Sequence, residues 1–373
     1  MRYSMMFAIV FVLAIILLPM PPGKSAADIG NQTVGNSSQS GLQVLNQITP
    51  ASTVSPSGDI NPYGVAFVPD GFSQRGTALT AGDILVSNFN NQSNLQGTGR
   101  TIVRITPTGQ TSVFFQGNAG LGLTTALGVL KSGFVLVGSV PSTDGTCGMI
   151  QQGSLLVLNG QGQLVMTLSD PALLDSPWDL AILEEGHKVK VFVSNVISGT
   201  VTRLGLSVHH GVLQLESKTQ IASGFMHGCN ATALVVGPTG LAFDSASGTL
   251  YVASTADNVI FAVDSAETAT KSAGAGRMVY SDNTHLHGPL GLVLAPNGNL
   301  LTSNGDAVNP DPTQASEIVE FTVTGTFISE FQVDTPLGAA FGIALAPVGQ
   351  GFAELAAVND NTNTLLTRIV RSQ

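Results

Sequence analysis

The chain has 373 residues, of which only 10% are charged, and its formal net charge is −10 at pH 7. Its 14 Lys and Arg residues are spread along the chain, so the composition argues against a nucleic-acid partner. The 43 glycines and the many uncharged polar residues are typical of an all-β protein rich in turns.

Residues 1–27 are predicted to form a signal peptide. Arg2 precedes an apolar run over residues 5–18, prolines follow, and Ser25, Ala26 and Ala27 provide the small residues of a cleavage site. We expect cleavage after Ala27, and the alternative is an uncleaved N-terminal anchor. A polar, flexible leader is expected over residues 28–40. The mature protein is expected to be a secreted or periplasmic monomer without membrane association.

After the leader, an apolar strand at 42–48 precedes a unit of short strands that recurs six times. First strands are predicted at 64–67, 127–130, 179–182, 240–243, 291–294 and 342–345. Second strands are predicted at 83–87, 134–138, 190–194, 250–253, 300–303 and 352–358. Third strands are predicted at 101–105, 154–158, 200–204, 259–263, 317–321 and 365–370, and fourth strands include 111–115, 164–168 and 327–331. The residues taken as equivalent anchors are Gly64, Gly128, Asp179, Gly240, Gly291 and Gly342.

A period near fifty residues with four short strands per unit predicts a six-bladed β-propeller over residues 41–373. The sixth unit lacks a fourth strand. We expect the spare strand at 42–48 to pair with the last blade, which would close the ring and remove its open edges. The alternative, an open β-solenoid, leaves that strand without a role.

One recurring pattern joins Pro-x-Gly-Leu-Ala, a polar turn, a strand that ends in a small or polar residue, a polar pair and a strand rich in Ile and Val. It is clearest at 238–263, 289–304 and 62–88. This pattern resembles the NHL repeat and covers most of residues 62–370. The resemblance implies a six-bladed propeller, and related families include gluconolactonases, strictosidine synthases and paraoxonases. NHL domains mostly bind partners, but a fold does not fix a function.

In an antiparallel meander, the start of each first strand and the end of each second strand lie at the same rim. Polar residues occupy many of these positions, and they are Asn88, Asp179, Asn195, Asn304, Asp306, Asn359 and Asp360. These side chains either cap turns locally or form a ligand or cation site. The lactonase-type relatives hold calcium with a Glu together with Asn and Asp, which makes Asn88, Asn195, Asn304 and Asn359 the candidate metal ligands. Ca²⁺ is the only cofactor that this resemblance suggests. No Glu stands at a first-strand start, which counts against a lactonase-type metal site, so no cofactor is assigned.

Histidines are the other candidates for chemistry. His227, His285 and His287 are expected to approach this rim, where His227 or His287 could act as a general base. His187, His209 and His210 lie in outer turns and are expected to be solvated. Trp178, which precedes the third first strand, either stacks on a ligand or packs between blades.

Cys147 and Cys229 are the only cysteines. In an exported protein such a pair predicts a disulfide, and two free thiols are the alternative. The bridge would join two long loops of the rim, which with residues 306–316 depart from a minimal propeller.

The resulting hypothesis is a module that binds a protein or a carbohydrate through its loop-bearing rim. A metal-dependent hydrolase of the lactonase or lyase kind is the alternative, and a purely structural module is the third. Whether the protein is an enzyme stays open.

Overall fold

The computed structural model describes residues 41–47, 50–73, 76–305, 317–333 and 340–372. These residues lie within one compact unit, Gln39–Gln373. The predicted signal peptide and leader and the site candidate Asp306 lie outside the described residues. In the described part of the chain, no helix is long and apolar enough to cross a membrane.

The described residues form strands and one 3-10 turn at Cys147–Met149. In chain order the strands are β1 (Leu42–Gln47), β2 (Ala51–Ser52), β3 (Ile60–Phe67), β4 (Ile84–Asn90), β5 (Thr101–Ile105), β6 (Thr111–Gln116), β7 (Leu123–Val129), β8 (Phe134–Ser139), β9 (Ser154–Asn159), β10 (Leu164–Leu168), β11 (Pro177–Glu185), β12 (Lys188–Asn195), β13 (Thr200–His209), β14 (Val212–Ser223), β15 (Gly228–Asn230), β16 (Leu234–Val236), β17 (Pro238–Asp244), β18 (Thr249–Ser254), β19 (Val259–Val263), β20 (Arg277–Tyr280), β21 (Leu292–Leu294), β22 (Leu300–Ser303), β23 (Glu317–Phe321), β24 (Phe327–Gln332), β25 (Ile343–Gly349), β26 (Phe352–Asn359) and β27 (Thr364–Ser372). The all-β prediction is confirmed.

The strands assemble into antiparallel meanders that follow the chain. Sheet 1 contains β3–β6, sheet 2 contains β7–β10, sheet 3 contains β11–β14, sheet 4 contains β17–β20, and sheet 5 contains β21–β24. Sheet 6 combines β25–β27 with β1 and β2. The strands β15 and β16 form a separate two-stranded sheet, which we call the cap hairpin.

Burial along the strands follows from the stacking of these sheets. The second strands β8 and β18 are buried at every residue, because each lies inside a sheet that neighbours cover on both faces. The outer strand β10 is largely exposed. This packing therefore requires apolar residues on both faces of the middle strands, which explains their near-continuous apolar sequence.

The first strands contact one another in chain order, from β3 through β7, β11, β17 and β21 to β25, and β25 also contacts β3. An apolar cluster lies at each junction between sheets, including the junction of sheets 6 and 1, where Val358 and Leu365 join Val86 and Val103. As predicted, the spare N-terminal strand pairs with the last sheet, because β1 runs antiparallel to β27 with Leu42 opposite Ser372.

One of the predicted anchor residues, Gly128, is wrong. Leu127 pairs with Val137 just as Val65 pairs with Val86, so Ala126, and not Gly128, occupies the position that Gly64 holds in sheet 1. The register of sheet 2 shifts between Leu123 and Leu127, and a bulge of this kind leaves no clear mark in the sequence.

Candidate functional site

The space between the sheets at the rim where the first strands begin, which we call the mouth, is filled by one side chain from each sheet. These residues directly precede the equivalent first-strand positions, and all are buried: Tyr63, Thr125, Trp178, Thr239, Leu290 and Phe341. The Tyr63 ring lies between Phe89 and Phe341, with centroids 4.3 Å from each, and Trp178 meets Phe89 edge-on at 5.4 Å. The mouth is therefore a packed aromatic cluster, and Trp178, only 3% exposed, packs within it.

Hydroxyl groups join neighbouring first strands just below this cluster. In sheets 1, 3 and 5 a second-strand serine accepts a hydrogen bond from its own first strand and donates one to a carbonyl of the next sheet. The donated bonds run from Ser87 to Thr124 at 2.8 Å, from Ser194 to Thr239 at 2.8 Å, and from Ser303 to Phe341 at 3.3 Å. In sheets 2 and 4 the first-strand residues Thr124 and Thr239 donate instead, to the carbonyls of Pro177 and Pro289. These hydroxyls hold the sheets together and are not placed as nucleophiles.

Asp179 stands where sheets 1, 4, 5 and 6 have glycine. Its carboxyl oxygens accept hydrogen bonds from the backbone N–H of Leu180 at 2.7 Å and of Leu241, in the next sheet, at 3.3 Å. The residue is half-buried by accessible area, but its carboxyl lies between two first strands, so the remaining accessible surface does not restore full solvation. Burial raises the pKa of Asp179 to about 8, although both N–H donors act in the opposite direction.

We expect Asp179→Asn to stabilise the protein at alkaline pH. The carboxyl ionises near pH 4 in the unfolded chain but only near pH 8 in the folded protein, so the folded state binds more protons between these values. Wild-type stability should therefore fall as the pH rises from 4 to 8 and then level off. At about pH 9 the variant should gain more than about 2 kcal/mol in free energy of unfolding, measured by urea denaturation.

The matched control is Asp70→Asn, which removes an exposed carboxylate at the opposite rim. Its stability curve should follow that of the wild type. If the Asp179→Asn curve also ran parallel to the wild type from pH 4 to 9, Asp179 would not hold its proton in the folded state.

The rim asparagines fix loops. Asn88 and Asn195 are fully buried, and their amide groups donate to the carbonyls of Thr53 and Leu173 in the loops that lead into their own sheets. Asn304 accepts from the N–H of His287 at 2.8 Å and donates to the carbonyl of His285 at 2.8 Å.

Asn359, also fully buried, accepts from the N–H groups of Asn361 and Thr362 in its own turn. Asp360 is half-buried in the same turn. Only this asparagine acts as the local turn cap that sequence reasoning considered, because the other three bind segments distant in the chain.

This donor set does not fit a calcium ion. Calcium requires six to eight converging oxygens, largely from carboxylates. The side-chain oxygens of Asn304 and Asn359 already accept backbone hydrogen bonds, while those of Asn88 and Asn195 are orphaned, and all four candidates are neutral amides without a carboxylate among them. Among the described residues, no group of three or more His, Cys, Asp or Glu could hold a metal.

The rim histidines do not share one site. His285 stacks on Phe327 with ring centroids 3.8 Å apart and contacts Glu330 through Nδ1 at 2.8 Å. His287 is 9% exposed, and its Nδ1 has no hydrogen-bond partner in the described part of the chain. His227 is exposed beside the cap hairpin, with Nδ1 2.8 Å from the carbonyl oxygen of Phe225.

Next to His285, Asp282 organises the loop that enters sheet 5. Burial alone would raise its pKa, but the Tyr280 hydroxyl and the N–H groups of His285, Thr284 and Leu286 donate to the carboxylate and lower the pKa to about 2. In the outer turns, His187 and His209 are exposed as expected, with rings 4.7 Å apart.

The predicted disulfide between Cys147 and Cys229 is present, with the two Cα atoms 5.6 Å apart. It ties the 3-10 turn at Cys147–Met149 to the cap hairpin, where Leu234 and Val235 join the aromatic cluster. The cap hairpin therefore packs against the aromatic cluster at the mouth.

A cleft of about 360 Å³ opens beside the disulfide. Ile150, Ile197 and Val235 give it apolar walls, and Gln152 and Asp175 give it polar ones.

Exposed apolar side chains lie on the cleft wall or on loops next to it, and of these Ile197 lines the cleft itself. Met149 is 48% exposed and Met226 is 61% exposed, while Leu95 and Ile197 are 41% and 36% exposed. Their loops are joined, because Gln96 donates to the carbonyl of Thr232 at 2.8 Å. We call these four side chains the apolar collar. Sequence reasoning missed the collar, although Met149 and Met226 lie within three residues of the two cysteines.

No protein-family model and no curated protein matches the chain. Among solved structures, a protein of Thermus thermophilus named as an oxidoreductase (glucose dehydrogenase) is 14% identical, with a TM-score of 0.54 over 88% of this chain and 100% of its own. The calcium-binding protein regucalcin of Agrobacterium tumefaciens is 12% identical, with a TM-score of 0.50 over 87% and 96%. An α-L-arabinofuranosidase mutant of Fusarium graminearum is 11% identical, with a TM-score of 0.51 over 87% and 98%.

At these identities the similarity shows the fold alone. The chain has a propeller-type fold similar to that of regucalcin and related proteins. The narrower resemblance to the NHL repeat is not confirmed.

Proposed function

We propose that this chain is an exported six-bladed β-propeller that binds a protein partner through its capped rim. The observation that carries the proposal is the apolar collar, four exposed side chains at or near the cleft beside the disulfide, namely Leu95, Met149, Ile197 and Met226. Contiguous exposed apolar surface is rare on monomeric proteins and marks interaction sites, and methionine is enriched in protein interfaces.

The contacts between sheets support a closed ring of six blades. The first strand of sheet 6 contacts that of sheet 1, and their apolar side chains form one cluster. The pairing of β1 with β27 supplies the strand that the sixth unit lacks.

Export is supported by the sequence of residues 1–27 and by the disulfide, since stable disulfides form mainly outside reducing compartments.

The packed mouth of the ring favours binding over catalysis. Tyr63, Trp178 and Phe341 fill the space where the hydrolase hypothesis needs a cation, and the rim asparagines are committed to loops. The carboxyl group of Asp179, just below them, accepts backbone hydrogen bonds. A protein fits the collar better than a carbohydrate does, because Trp178 is buried and the collar is aliphatic.

The test is binding by a rim variant, Met149→Ser combined with Met226→Ser. Immobilised wild-type protein is exposed to the proteins secreted by its own organism and, separately, to a glycan panel, and the retained partner is then purified and titrated. We expect a secreted protein to bind, and the double variant to weaken binding about tenfold or more, since each buried anchor contributes about 1 kcal/mol.

Met278→Ser is the matched control, because Met278 is 59% exposed on β20, away from the cap. It should bind like the wild type. Retention of glycans alone, or equal binding by both variants, would contradict the proposal. A fall in melting temperature on chelation, together with lactone turnover, would support the hydrolase instead.

A further inference from the structure

The cleft beside the disulfide carries an inference about what the partner presents to it. We propose that this cleft binds a lysine or arginine side chain of the docked protein, with Asp175 as its counter-ion. This proposal rests on the proposed function and specifies the partner's chemistry.

The polar lining of the cleft offers acceptors. Asp175 Oδ1 accepts hydrogen bonds from the hydroxyls of Ser176 and Ser198, at 3.1 and 3.0 Å, which fix the carboxylate. Its Oδ2 has no hydrogen-bond partner among the residues that the structure describes. A negatively charged oxygen at the wall of a cleft is matched by an ammonium or guanidinium group.

The side-chain amide of Gln152 also leaves an acceptor oxygen free. Its Nε2 donates to the carbonyls of Gly153 and Leu174, both at 2.9 Å, so both amide protons are engaged and Oε1 is left to accept. The cleft therefore has two acceptor groups on its polar side, Asp175 and Gln152.

The remaining walls suit an aliphatic stem. Ile150, Ile197 and Val235 line the cleft together with the disulfide. Lysine and arginine side chains bury their methylene groups along apolar surface and keep the charged end at a polar one. A cleft of about 360 Å³ has room for one such side chain.

The charges of the rim loops also favour a basic partner. Apart from Arg100, every Asp, Glu, Lys or Arg in the described loops of this rim is an aspartate. Asp170 is paired with Lys218 of β14, and the others are Asp59, Asp144, Asp175, Asp257, Asp282 and Asp360. Loops at the opposite ends of the sheets carry both signs, with Lys131 and Lys271 as well as Asp70 and Glu267. A basic partner is therefore attracted to the capped rim specifically.

The experiment selects random 12-residue peptides displayed on phage against the intact protein and titrates the winning peptides as synthetic molecules. We expect winners with a Lys or Arg flanked by apolar residues. Asp175→Asn, which keeps the shape of the side chain and its Oδ1 acceptor, should weaken their binding about tenfold. Asp70→Asn, the same change on the opposite rim, should leave binding unchanged.

Ile197→Lys provides a second variant that does not depend on Asp175. It introduces a cation at the partly exposed edge of the cleft and should block the same peptides. Replacing the basic residue of a winning peptide by Lys, Arg or norleucine shows which cation is preferred and what the charge contributes. Free arginine or cadaverine that competes as strongly as the peptide would mean a small-molecule cation site and overturn the docking proposal.

Winners without a basic residue that still require Met149 and Met226 would overturn the cation site and leave the proposed rim function standing. Winners unaffected by any rim variant would count against both. Each variant is first compared with the wild type by thermal melting, so that a loss of binding reflects the cleft and not the fold.

Discussion

Gly342→Ala should destabilise the protein by about 3 kcal/mol, measured as the free energy of unfolding in denaturant, because it inserts a methyl group where two sheets meet. A Cβ atom at Gly342 would lie 1.9 Å from the carbonyl oxygen of Tyr63 and 3.0 Å from Val65 Cγ2. Tyr63 belongs to sheet 1, and Gly342 directly precedes the first strand of sheet 6. A backbone oxygen cannot rotate away from the added methyl group as a flexible side chain can. The sheets themselves would have to separate.

Two further glycines make this substitution a test of ring closure. Gly240 has the equivalent position between sheets 4 and 5, where a Cβ would lie 2.2 Å from the Leu290 carbonyl oxygen, so Gly240→Ala should cost a similar amount. Gly148 has open space around it and no left-handed backbone, so Gly148→Ala should change stability by less than about 0.5 kcal/mol. If Gly342→Ala were as mild as Gly148→Ala while Gly240→Ala was severe, sheet 6 would not close against sheet 1.

The equivalence of these glycines shows what the sequence could predict. A recurring Gly followed by apolar residues marks four of the six first strands, because a Cβ atom at these glycines would meet the neighbouring first strand. That steric requirement recurs from sheet to sheet, so the glycines recur along the sequence at a regular spacing. Asp179 and Ala126 break it, and Asp179 could be aligned only because its flanking strands were clear.

The features that sequence reasoning missed depend on contacts between distant residues. Asn88 and Asn359 hold equivalent positions in their second strands, yet Asn88 binds the loop at Thr53 while Asn359 caps its own turn. The strands of the cap hairpin are three residues each and gain their apolar contacts from the aromatic cluster, whose aromatic side chains come from sheets 1, 3 and 6. Neither outcome has a local sequence signal.

The second large effect on stability is expected from removal of the disulfide that holds the cap hairpin. Replacing both Cys147 and Cys229 by serine should lower the free energy of unfolding by up to about 4 kcal/mol, because the bridge closes a loop across 82 residues and restricts the unfolded chain. Chemical denaturation of the two proteins measures the difference. The strands of the cap hairpin are only three residues long, so the rim should loosen before the sheets do.

Trp178 reports on that local step. It is the only tryptophan, is 3% exposed, and lies in one apolar cluster with Leu234 and Val235 of the cap hairpin. Lifting the cap would bring water to the indole, so reduction of the wild-type protein under native conditions should shift its fluorescence emission to longer wavelength. The double serine variant should show the shifted emission with or without reductant, which controls for effects of the thiol reagent itself.

The two readouts separate what the disulfide stabilises. A large loss of unfolding free energy with unchanged Trp178 emission would mean that the bridge restrains only the unfolded chain and that the cap stays packed without it. Shifted emission with an unchanged free energy of unfolding would mean that the cap opens independently of the sheets. We expect both changes, because the bridge restrains the unfolded chain and also holds Val235 over the aromatic cluster.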